Sequence, residues 1–383
     1  MARLGDVCTV VSGTTPKSNH SGYWDGNLNW VTPAELTDES DTIYETQRKI
    51  TSQAVIDSSL KSFPAGTVLL SSRAPIGKVA IAGTEMYCNQ GFKNLICSEK
   101  IYNRYLYHFL KNKTAYLNSL GRGATFKEIS KSIVENIEIP LPSLEEQREI
   151  AAVLDKVSDL IAKRRQQLEK LDLLVKARFV EMFGDPVDNP KQWETKGLAE
   201  LGECKNGMNF HTEDSGIDIH CLGVGDFKDL SYITDTSMLP MISLDKMPSN
   251  EYLLQNGDIV FVRSNGNKDL VGRSIAVFPD QIPTTFSGFC IRFRLKSSIV
   301  QTDYLLRTLK TDSVRKKMGG RGANIQNLNQ KILSDLQIPI PPLDLQNQFS
   351  AFVEQIEKTK ISIKESLENM ETLKKALMQE YFG

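Results

Sequence analysis

The residues that could ligate a metal or act as nucleophiles are scattered along the chain. The histidines are His20, His108, His211 and His220, and they show no HExxH or other metal-ligand spacing. The six cysteines contain no CxxC pair, and no apolar signal segment precedes them, so they indicate reduced and mostly buried thiols. Neither set predicts a metal centre or a thiol-based active site.

Three short stretches contain fragments of catalytic motifs but complete none of them. "PIGKVA" (residues 75–80) lacks the upstream glycine and the Ser or Thr of a P-loop, and "LGVGDF" (222–227) predicts a turn at a strand end. The carboxylates of "PAELTDESD" (33–41) predict a solvated acidic loop, because no lysine pattern of a nuclease accompanies them. The Asn-Pro-Pro-aromatic tetrapeptide of adenine methyltransferases is also absent from the sequence. These features predict a chain that binds rather than catalyses.

The formal net charge of −1 conceals two basic segments. Residues 61–131 contain 11 Lys and Arg against 3 Asp and Glu, and residues 257–331 contain 13 against 5. The stretches before them, residues 1–60 and 185–256, are acidic. A single basic segment would be explained equally well by a solvated surface of mixed charge. Because the pattern occurs twice, a functional role for the basic segments is favoured.

Length and composition predict a two-domain protein without a membrane span. A chain of 383 residues exceeds one ordinary core, and 40% hydrophobic with 24% charged residues is typical of a globular protein. We find no run of 18 apolar residues, and the first residues do not form a signal peptide. We therefore expect a cytoplasmic location.

The chain contains a long internal repeat. Residues 139–184 align without a gap on residues 338–383, and 14 of the 46 positions are identical, including Gln147/Gln346 and Leu174/Leu373. The same offset aligns "GRGA" at residues 121–124 with "GRGA" at 320–323. A tandem duplication of one large unit is therefore predicted.

Each copy ends in a predicted helix of about 40 residues. After "IPLPS", Ser143 is a predicted N-cap, and Glu145 and Glu146 favour the first turn. The apolar stripe predicted for the first helix comprises Ile150, Val153, Leu154, Val157, Leu160, Ile161, Leu168, Leu171, Leu174 and Val175. In the second helix, Phe349, Ile356, Ile363, Met370 and Leu377 recur every seven residues. Helices roughly 60 Å long exceed the reach of one domain, so we expect them to pack on each other.

The predicted fold is α+β, with an internal pseudo-two-fold duplication. Short β-type runs such as "GTVLLSSR", "KVAIAG" and "GDIVFVRS" predict two globular α/β domains. Two long antiparallel helices form a coiled-coil spacer between them. The predicted boundaries are 1–142 for the first domain, 143–184 for the central helix, 185–341 for the second domain and 342–383 for the C-terminal helix.

The sequence resembles the specificity subunits of type I restriction–modification systems. The resemblance rests on "IPLPSLEEQREI", a long helix ending "FVEMFGD", the preceding "GRGATFKEISKSIVENIEI" and the duplication, and it covers the full chain. It implies two target-recognition domains, each reading half of a split asymmetric DNA sequence, with the helices setting the half-site spacing. The second copy departs from the pattern, since "LDLQNQF" replaces "LEEQREI", although Gln346 keeps the position of Gln147.

The resemblance gives the basic segments a role in DNA binding. Lysines and arginines would contact phosphates, and Arg, Lys, Asn and Gln can also bond base edges. The predicted DNA contacts of the first domain are Arg73, Lys78, Lys93, Arg122, Thr125 and Lys127. Those of the second domain are Arg263, Lys268, Arg273, Arg321, Asn324 and Gln326.

The family pattern also implies partners. Two modification (methyltransferase) subunits would dock on the helices, and restriction/translocase subunits would join them. The predicted docking residues are Leu144, Gln147, Ile150, Leu154, Leu343, Gln346, Phe349 and Val353. S-adenosylmethionine, ATP and Mg are expected on the partner subunits, with no cofactor or metal bound by this chain. Two alternatives stay open: an adaptor that bridges partners without binding DNA, and an enzyme with an unrecognised site.

Overall fold

The computed structural model describes residues 1–37, 39–73, 75–123, 127–210, 215–228, 230–318 and 327–383. It divides into two compact units. Unit 1 comprises residues 1–165 and 364–383, and unit 2 comprises residues 166–363. The units cut across the four segments predicted from the sequence, because each part of a long helix buries its apolar side chains against the globular domain that it adjoins.

Unit 1 contains short strands and helices followed by the beginning of a long helix. Its strands are β1 (Ala2–Arg3), β2 (Cys8–Val11), β3 (Trp24–Val31), β4 (Thr42–Ile43), β5 (Lys49–Ile50), β6 (Val68–Leu70), β7 (Val79–Ala82), β8 (Tyr87–Cys88), β9 (Asn94–Cys97) and β10 (Glu138–Ile139). Its helices are α1 (Leu4–Val7), α2 (Ser52–Asp57), α3 (Asn103–Asn112), α4 (Thr114–Ser119), α5 (Lys131–Glu135) and the first part of α6 (Leu144–Phe183).

The strands of unit 1 form a five-stranded sheet in the order β2-β9-β6-β7-β4, a three-stranded sheet in the order β5-β3-β8, and the pair β1-β10. Val68 and Leu70 on one face of β6 join the main core with Tyr105 of α3. Leu69 between them joins a second core with Phe92 on the opposite face. Because successive strand residues point to opposite faces, burial of both faces explains the continuous apolar run "VLL".

Unit 2 repeats this arrangement. Its strands are β11 (Thr195–Gly197), β12 (Gly202–Asn206), β13 (Ile217–Leu222), β14 (Tyr232–Ile233), β15 (Met241–Leu244), β16 (Asp258–Val262), β17 (Ser274–Val277), β18 (Thr284–Phe286), β19 (Cys290–Leu295) and β20 (Gln337–Pro339). Its short helices are α7 (Leu198–Leu201), α8 (Thr302–Leu309), α9 (Asp312–Met318) and α10 (Gln330–Ser334), and α11 (Leu343–Phe382) is the second long helix. The sheet orders, β12-β19-β16-β17-β14, β15-β13-β18 and β11-β20, match those of unit 1 strand for strand. The predicted duplication is therefore confirmed in the fold.

Helices α6 and α11 are each 40 residues long, as predicted. Ser143 forms the predicted cap, since Glu146 N donates to Ser143 Oγ at 3.3 Å and Ser143 N donates to Glu146 Oε2 at 2.9 Å. Within unit 2, Phe179 packs against Phe349, whereas Asp172, earlier in α6, contacts Lys360, later in α11. The helices are therefore antiparallel, as predicted.

The burial of the helices corrects part of the predicted stripe. Phe349, Ile356 and Ile363 are buried, which confirms these positions of the heptad in α11. In α6, however, Val153, Leu160 and Leu174 are 39–47% exposed, because one helix face cannot turn every apolar side chain inward. The stripe predicted for α6 is wrong at these three positions.

Candidate nucleic-acid interface

In unit 1, the backbone holds the ends of the Gly-rich loop in a fixed position. Arg122 N donates to Glu128 O and Glu128 N donates to Arg122 O, both at 3.0 Å, and Ile129 N donates to Ser72 O at 3.0 Å. Gly123 has a φ of +129°, a conformation that favours glycine. The side chains of Arg122 and Lys127 are exposed at the two ends of this loop, while Thr125 lies outside the described residues.

Arg73 and Lys93 both lie beside Glu128, which follows the Gly-rich stretch. Arg73, three residues beyond the end of β6, is half-buried and pairs with Glu128 in an isolated antiparallel β-bridge. Lys93 is only 8% exposed, and its Nζ lies 3.0 Å from Glu128 Oε1 and 3.3 Å from Ser72 Oγ. The prediction of a DNA contact at Lys93 is therefore corrected, because this ammonium group is buried and pairs with the partly exposed carboxylate of Glu128.

Lys78 and Arg273 occupy equivalent positions after a left-handed glycine in each unit. Lys78 Nζ donates to Leu36 O at 2.6 Å, and Arg273 Nη1 donates to Lys228 O at 2.9 Å. Each accepting carbonyl follows the short 3₁₀ turn that ends β3 or β13. Both side chains are half-buried, and they tie that turn to the sheet. Their contact with DNA stays a prediction.

Unit 2 has the equivalent backbone bond at Leu328, two residues after the end of the part of its Gly-rich segment that lies outside the described residues. Leu328 N donates to Arg263 O at 2.7 Å, just as Ile129 N donates to Ser72 O in unit 1. The half-buried Arg263 also donates from Nη1 to Gly288 O at 3.2 Å. Three predicted contacts, Arg321, Asn324 and Gln326, lie outside the described residues, as does the side chain of Lys268.

Much of the positive charge in the basic segments is used inside the fold. Arg294 Nη2 lies 2.7 Å from Asp258 Oδ2, and Arg292 is 1% exposed on the central part of β19. Lys310 donates to backbone and hydroxyl oxygens of residues 230 and 231, and burial lowers its pKa to about 8. The charge count along the sequence therefore overstates the number of positive side chains available to DNA phosphates. Exposed cations such as Lys127 are the stronger candidates for these contacts.

A polar network that sequence reasoning missed joins the first domain to α6. His108 Nε2 lies 2.7 Å from Asp155 Oδ1, and Arg104 Nε donates to Asp155 Oδ2 at 3.0 Å while its Nη1 contacts Asp41. Burial lowers the pKa of His108 although Asp155 opposes this. Burial by itself would raise the pKa of Asp155, but the hydrogen bonds from His108 and Arg104 hold it below its ordinary value. Helical spacing places Arg104 and His108 on one face of α3, but only the tertiary structure identifies Asp155 as their partner.

The acidic stretch "PAELTDESD" (33–41) and the glycine-containing stretch "LGVGDF" (222–227) each contain a short 3₁₀ turn. Glu35 accepts from Thr32 N at 2.9 Å and from Gln47 N at 2.8 Å, so this carboxylate caps a turn rather than standing in solvent. In the other stretch, Asp226 accepts from Gly223 N at 2.8 Å, which confirms the predicted turn at a strand end. The prediction of a purely solvated loop is wrong for Glu35, because the folded backbone supplies donors to it.

The two glutamines predicted to bind partners are buried joints between domain and helix. Gln147 Oε1 accepts from Tyr102 N at 2.8 Å, and its Nε2 donates to Lys100 O and Pro142 O at 3.1 and 2.9 Å. Both Gln147 and Gln346 are 0% exposed. All the amide groups of these side chains face the chain's own backbone, so their predicted role at a partner surface is corrected.

The apolar docking residues fall into two groups. Leu154, Phe349 and Val353 are buried in the cores of their units, which leaves no surface for a partner and corrects that prediction. Ile150 is half-buried, whereas Leu144 and Leu343 are 36% and 40% exposed at the starts of α6 and α11. For these last two the predicted docking role stays open.

Two kinds of feature are absent from the described residues: a metal-binding cluster and a membrane-spanning helix. Among those residues, no group of three His, Cys, Asp or Glu side chains is arranged to hold a metal ion. The helices with described residues include none long and apolar enough to cross a membrane.

Comparison with known families decides the kind of protein. The model of the type I restriction modification DNA specificity domain matches residues 1–171 and again residues 190–371, one match for each copy of the repeat. The chain belongs to this family. The predicted resemblance is thereby confirmed.

Curated members of the family show the extent of the similarity. The type I restriction enzyme MjaIX specificity subunit of Methanocaldococcus jannaschii is 40% identical over 225 residues, covering 54% of this chain and 52% of that protein. The StySPI specificity subunit of Salmonella potsdam is 28% identical over 331 residues, covering 80% and 70%. The chain thus spans about half the length of the first relative and a larger share of the second.

Solved structures support the fold. The S subunit of a type I restriction-modification system from M. genitalium superposes with a TM-score of 0.60 at 15% identity, covering 100% of this chain and 95% of that one. A structure described as addressing complex assembly and conformational transition of the type I R-M system gives a TM-score of 0.61 at 19% identity, covering 100% and 96%. At these identities the likeness establishes the fold alone.

Proposed function

We propose that this chain is the DNA-recognition subunit of a type I restriction–modification complex, with each unit reading one half of a split, asymmetric target. The observation that carries the proposal is the shared loop tether. Ile129 N bonds Ser72 O in unit 1, and Leu328 N bonds Arg263 O in unit 2. The residue that follows the basic Gly-rich stretch of the sequence is thereby bonded at the same place in both copies of the family's specificity domain.

The two backbone bonds at Ile129 and Leu328 are equivalent, but the side chains around them differ between the units. This difference supports recognition of two different half-sites. Glu128 with its partner Lys93 stands in unit 1 where Asn327 stands in unit 2. Fixed backbone positions with varied side chains suit base readout, since phosphate contacts position a protein and base contacts specify the sequence. Arg122 and Lys127 are the described residues of unit 1 best placed for such contacts.

The remaining roles follow from the family pattern. The paired helices would set the spacing of the half-sites and dock two modification subunits, with Leu144 and Leu343 as exposed candidates. The chain itself would be non-catalytic. S-adenosylmethionine would be bound by the modification subunits, and ATP with Mg would be bound by the restriction/translocase subunits. The DNA target would be met in the cytoplasm.

Reconstitution of methylation tests the proposal. The full chain is co-expressed with a modification subunit in a methylation-free host, and modified adenines are mapped by sequencing. We expect a two-part motif with a fixed gap, and no modification when either protein is expressed alone. Methylation by the chain alone would support the enzyme alternative. A complex that modifies the same sites with and without this chain would support the adaptor alternative.

A further inference from the structure

Cys8 and Cys97 lie directly opposite each other on neighbouring strands. They are register partners in the antiparallel pair β2-β9 of unit 1. Ser98 N donates to Val7 O at 2.9 Å, so the backbone bond flanks the two cysteines instead of joining them. This is the non-hydrogen-bonded type of cross-strand pair, in which Cα atoms are about 4.5 Å apart and side chains lie closest. Disulfides usually span Cα separations of about 4.4–6.8 Å, so the strands already have the required spacing.

The two thiols interact and differ in accessibility. The Cys97 thiol hydrogen-bonds that of Cys8 and, together with burial, raises the pKa of Cys8. Cys8 is 7% exposed inside the main core of unit 1, whereas Cys97 at the end of β9 is partly exposed. Cys97 is therefore the thiol that a reagent in solvent reaches first, and Cys8 is the neighbour able to resolve the product.

The pair belongs to one copy of the repeat. At the corresponding place of unit 2, β12 and β19 pair Gly202 with Leu295. The strand pairing by itself thus needs no cysteine at these positions. Unit 2 provides an internal comparison, because it keeps the same sheet order without the thiols.

We propose that Cys8 and Cys97 form a redox modification site, at which a small disulfide such as oxidised glutathione produces an intrachain disulfide. The Cys97 thiolate attacks one sulfur of oxidised glutathione, forming a mixed disulfide and releasing one glutathione thiolate. Cys8 then loses its proton and attacks Cys97 Sγ, breaking the bond to glutathione and releasing the second thiolate. The two cysteines lose two electrons and two protons, and one oxidised glutathione becomes two reduced molecules.

The product should stabilise unit 1 without reshaping it. The bond would enclose residues 8–97, which include β3 to β9, and a cross-link of this kind acts mainly by restricting the unfolded chain. Because the strands are already in register, the folded sheet needs little movement. We therefore expect a higher unfolding temperature that returns to its starting value on reduction.

Peptide mapping of the full chain tests the site. The native protein is incubated with oxidised glutathione, free thiols are blocked, and the digest is analysed by mass spectrometry without reduction. We expect a linked peptide pair containing Cys8 and Cys97, lighter by two hydrogen atoms than the reduced pair, and an upward shift in Tm that dithiothreitol reverses. Cys204→Ser, at a partly buried cysteine of unit 2, should leave both results unchanged.

Two variants separate the steps. Cys8→Ser should accumulate the mixed disulfide at Cys97, and Cys97→Ser should leave Cys8 unmodified. Should a variant fail to fold, the wild-type map alone decides. A wild-type protein that retains glutathione on Cys97 without the linked pair, stays unmodified, or forms the pair only in denaturant would overturn the proposal.

Discussion

Gln346 makes the same three hydrogen bonds as Gln147, although the two residues lie 199 positions apart. Its Oε1 accepts from Gln301 N at 2.8 Å, and its Nε2 donates to Ile299 O and Pro341 O at 3.0 and 2.8 Å. Each glutamine thereby joins the first turn of a long helix to the loop before the main helix of its domain. The repeated glutamine therefore forms a buried joint in each unit.

Removing this joint should destabilise unit 1. Gln147→Ala leaves the backbone groups of residues 100, 102 and 142 without their side-chain partner, and buried unsatisfied groups are costly, so we expect a loss of about 2–4 kcal/mol. Urea denaturation of the full chain measures it. Glu149→Ala, at an exposed position two residues later, should cost less than about 0.5 kcal/mol. Equal losses in the two variants would contradict the role of Gln147.

The helix pairing in unit 2 should depend on one aromatic side chain. Phe349 is 0% exposed, and its ring centroid lies 5.6 Å from those of Phe179 and Phe183. Phe349→Ala should lower the free energy of unfolding by about 3–5 kcal/mol through lost burial and the cavity left behind. Leu373→Ala, at a 50% exposed position of the same helix, is the control and should have little effect.

Arg122 should contribute to DNA binding by the assembled complex. Arg122→Ala should weaken binding by about 1–3 kcal/mol and relax specificity at one base pair if the side chain reads a base. A phosphate contact would instead weaken all sequences alike and lower the salt dependence. The equivalent Arg321→Ala, outside the described residues, should act in the same way on the other half-site. Titration of labelled duplexes at several salt concentrations distinguishes these outcomes.

A charge-matched control accompanies the test at Arg122. Lys61→Ala removes the same charge from the first basic segment at an exposed position that is not part of the Gly-rich loop. It should change affinity and salt slope less than Arg122→Ala does. Identical effects of the two variants, or no effect of Arg122→Ala, would mean that the DNA face lies elsewhere.

Stability should fall in mildly acidic solution because of His108. Burial depresses its pKa below the ordinary 6.5, so below that pH the unfolded chain binds a proton that the folded chain does not. Unfolding free energy should therefore decrease as pH falls from 6.5 toward the folded pKa. Arg104 and Lys374 oppose protonation and Asp155 favours it. His108→Gln should flatten this part of the profile, while the part of the loss at lower pH that reflects the lowering of the Asp155 pKa by Arg104 persists. An unchanged slope would contradict the assignment.

The helices should act as a ruler under the proposed function. Four residues inserted between Leu168 and Leu171, with a matched insertion between Leu367 and Met370, add about one turn, roughly 6 Å. At about 3.4 Å per base pair, the gap between half-sites should lengthen by one to two base pairs while the bases at each end stay the same. The ion pairs Arg165–Glu371 and Asp172–Lys360 lie on either side of the insertions along both helices, so both can persist. Methylation mapping measures the gap, and an unchanged gap in an active complex would mean that the helices do not set it.

The sequence by itself determined the architecture. The repeat at one constant offset, the "IPLPS" entry and the heptad from Phe349 predicted two similar domains and two antiparallel helices, and each of these features is present. Such patterns are local or periodic, so they can be recognised in the sequence without knowledge of tertiary contacts. The strand-type runs were predictable for the same reason, since burial on both faces makes "VLL" and "DIVFV" continuously apolar or nearly so.

Only the tertiary structure decided which polar residues remain available to a ligand. In the sequence, Lys93 and Arg122 are both cations of one basic segment. In the structure, Lys93 is buried in an ion pair with Glu128, while Arg122 is exposed. Gln147 has the polarity of a surface residue but is fully buried. The physical reason is that desolvating a charge or an amide requires partners, and most of the partners of Lys93 and Gln147 lie tens of residues away in sequence. Long-range contacts therefore decide which of the candidate residues stay exposed, and composition and spacing do not reveal those contacts.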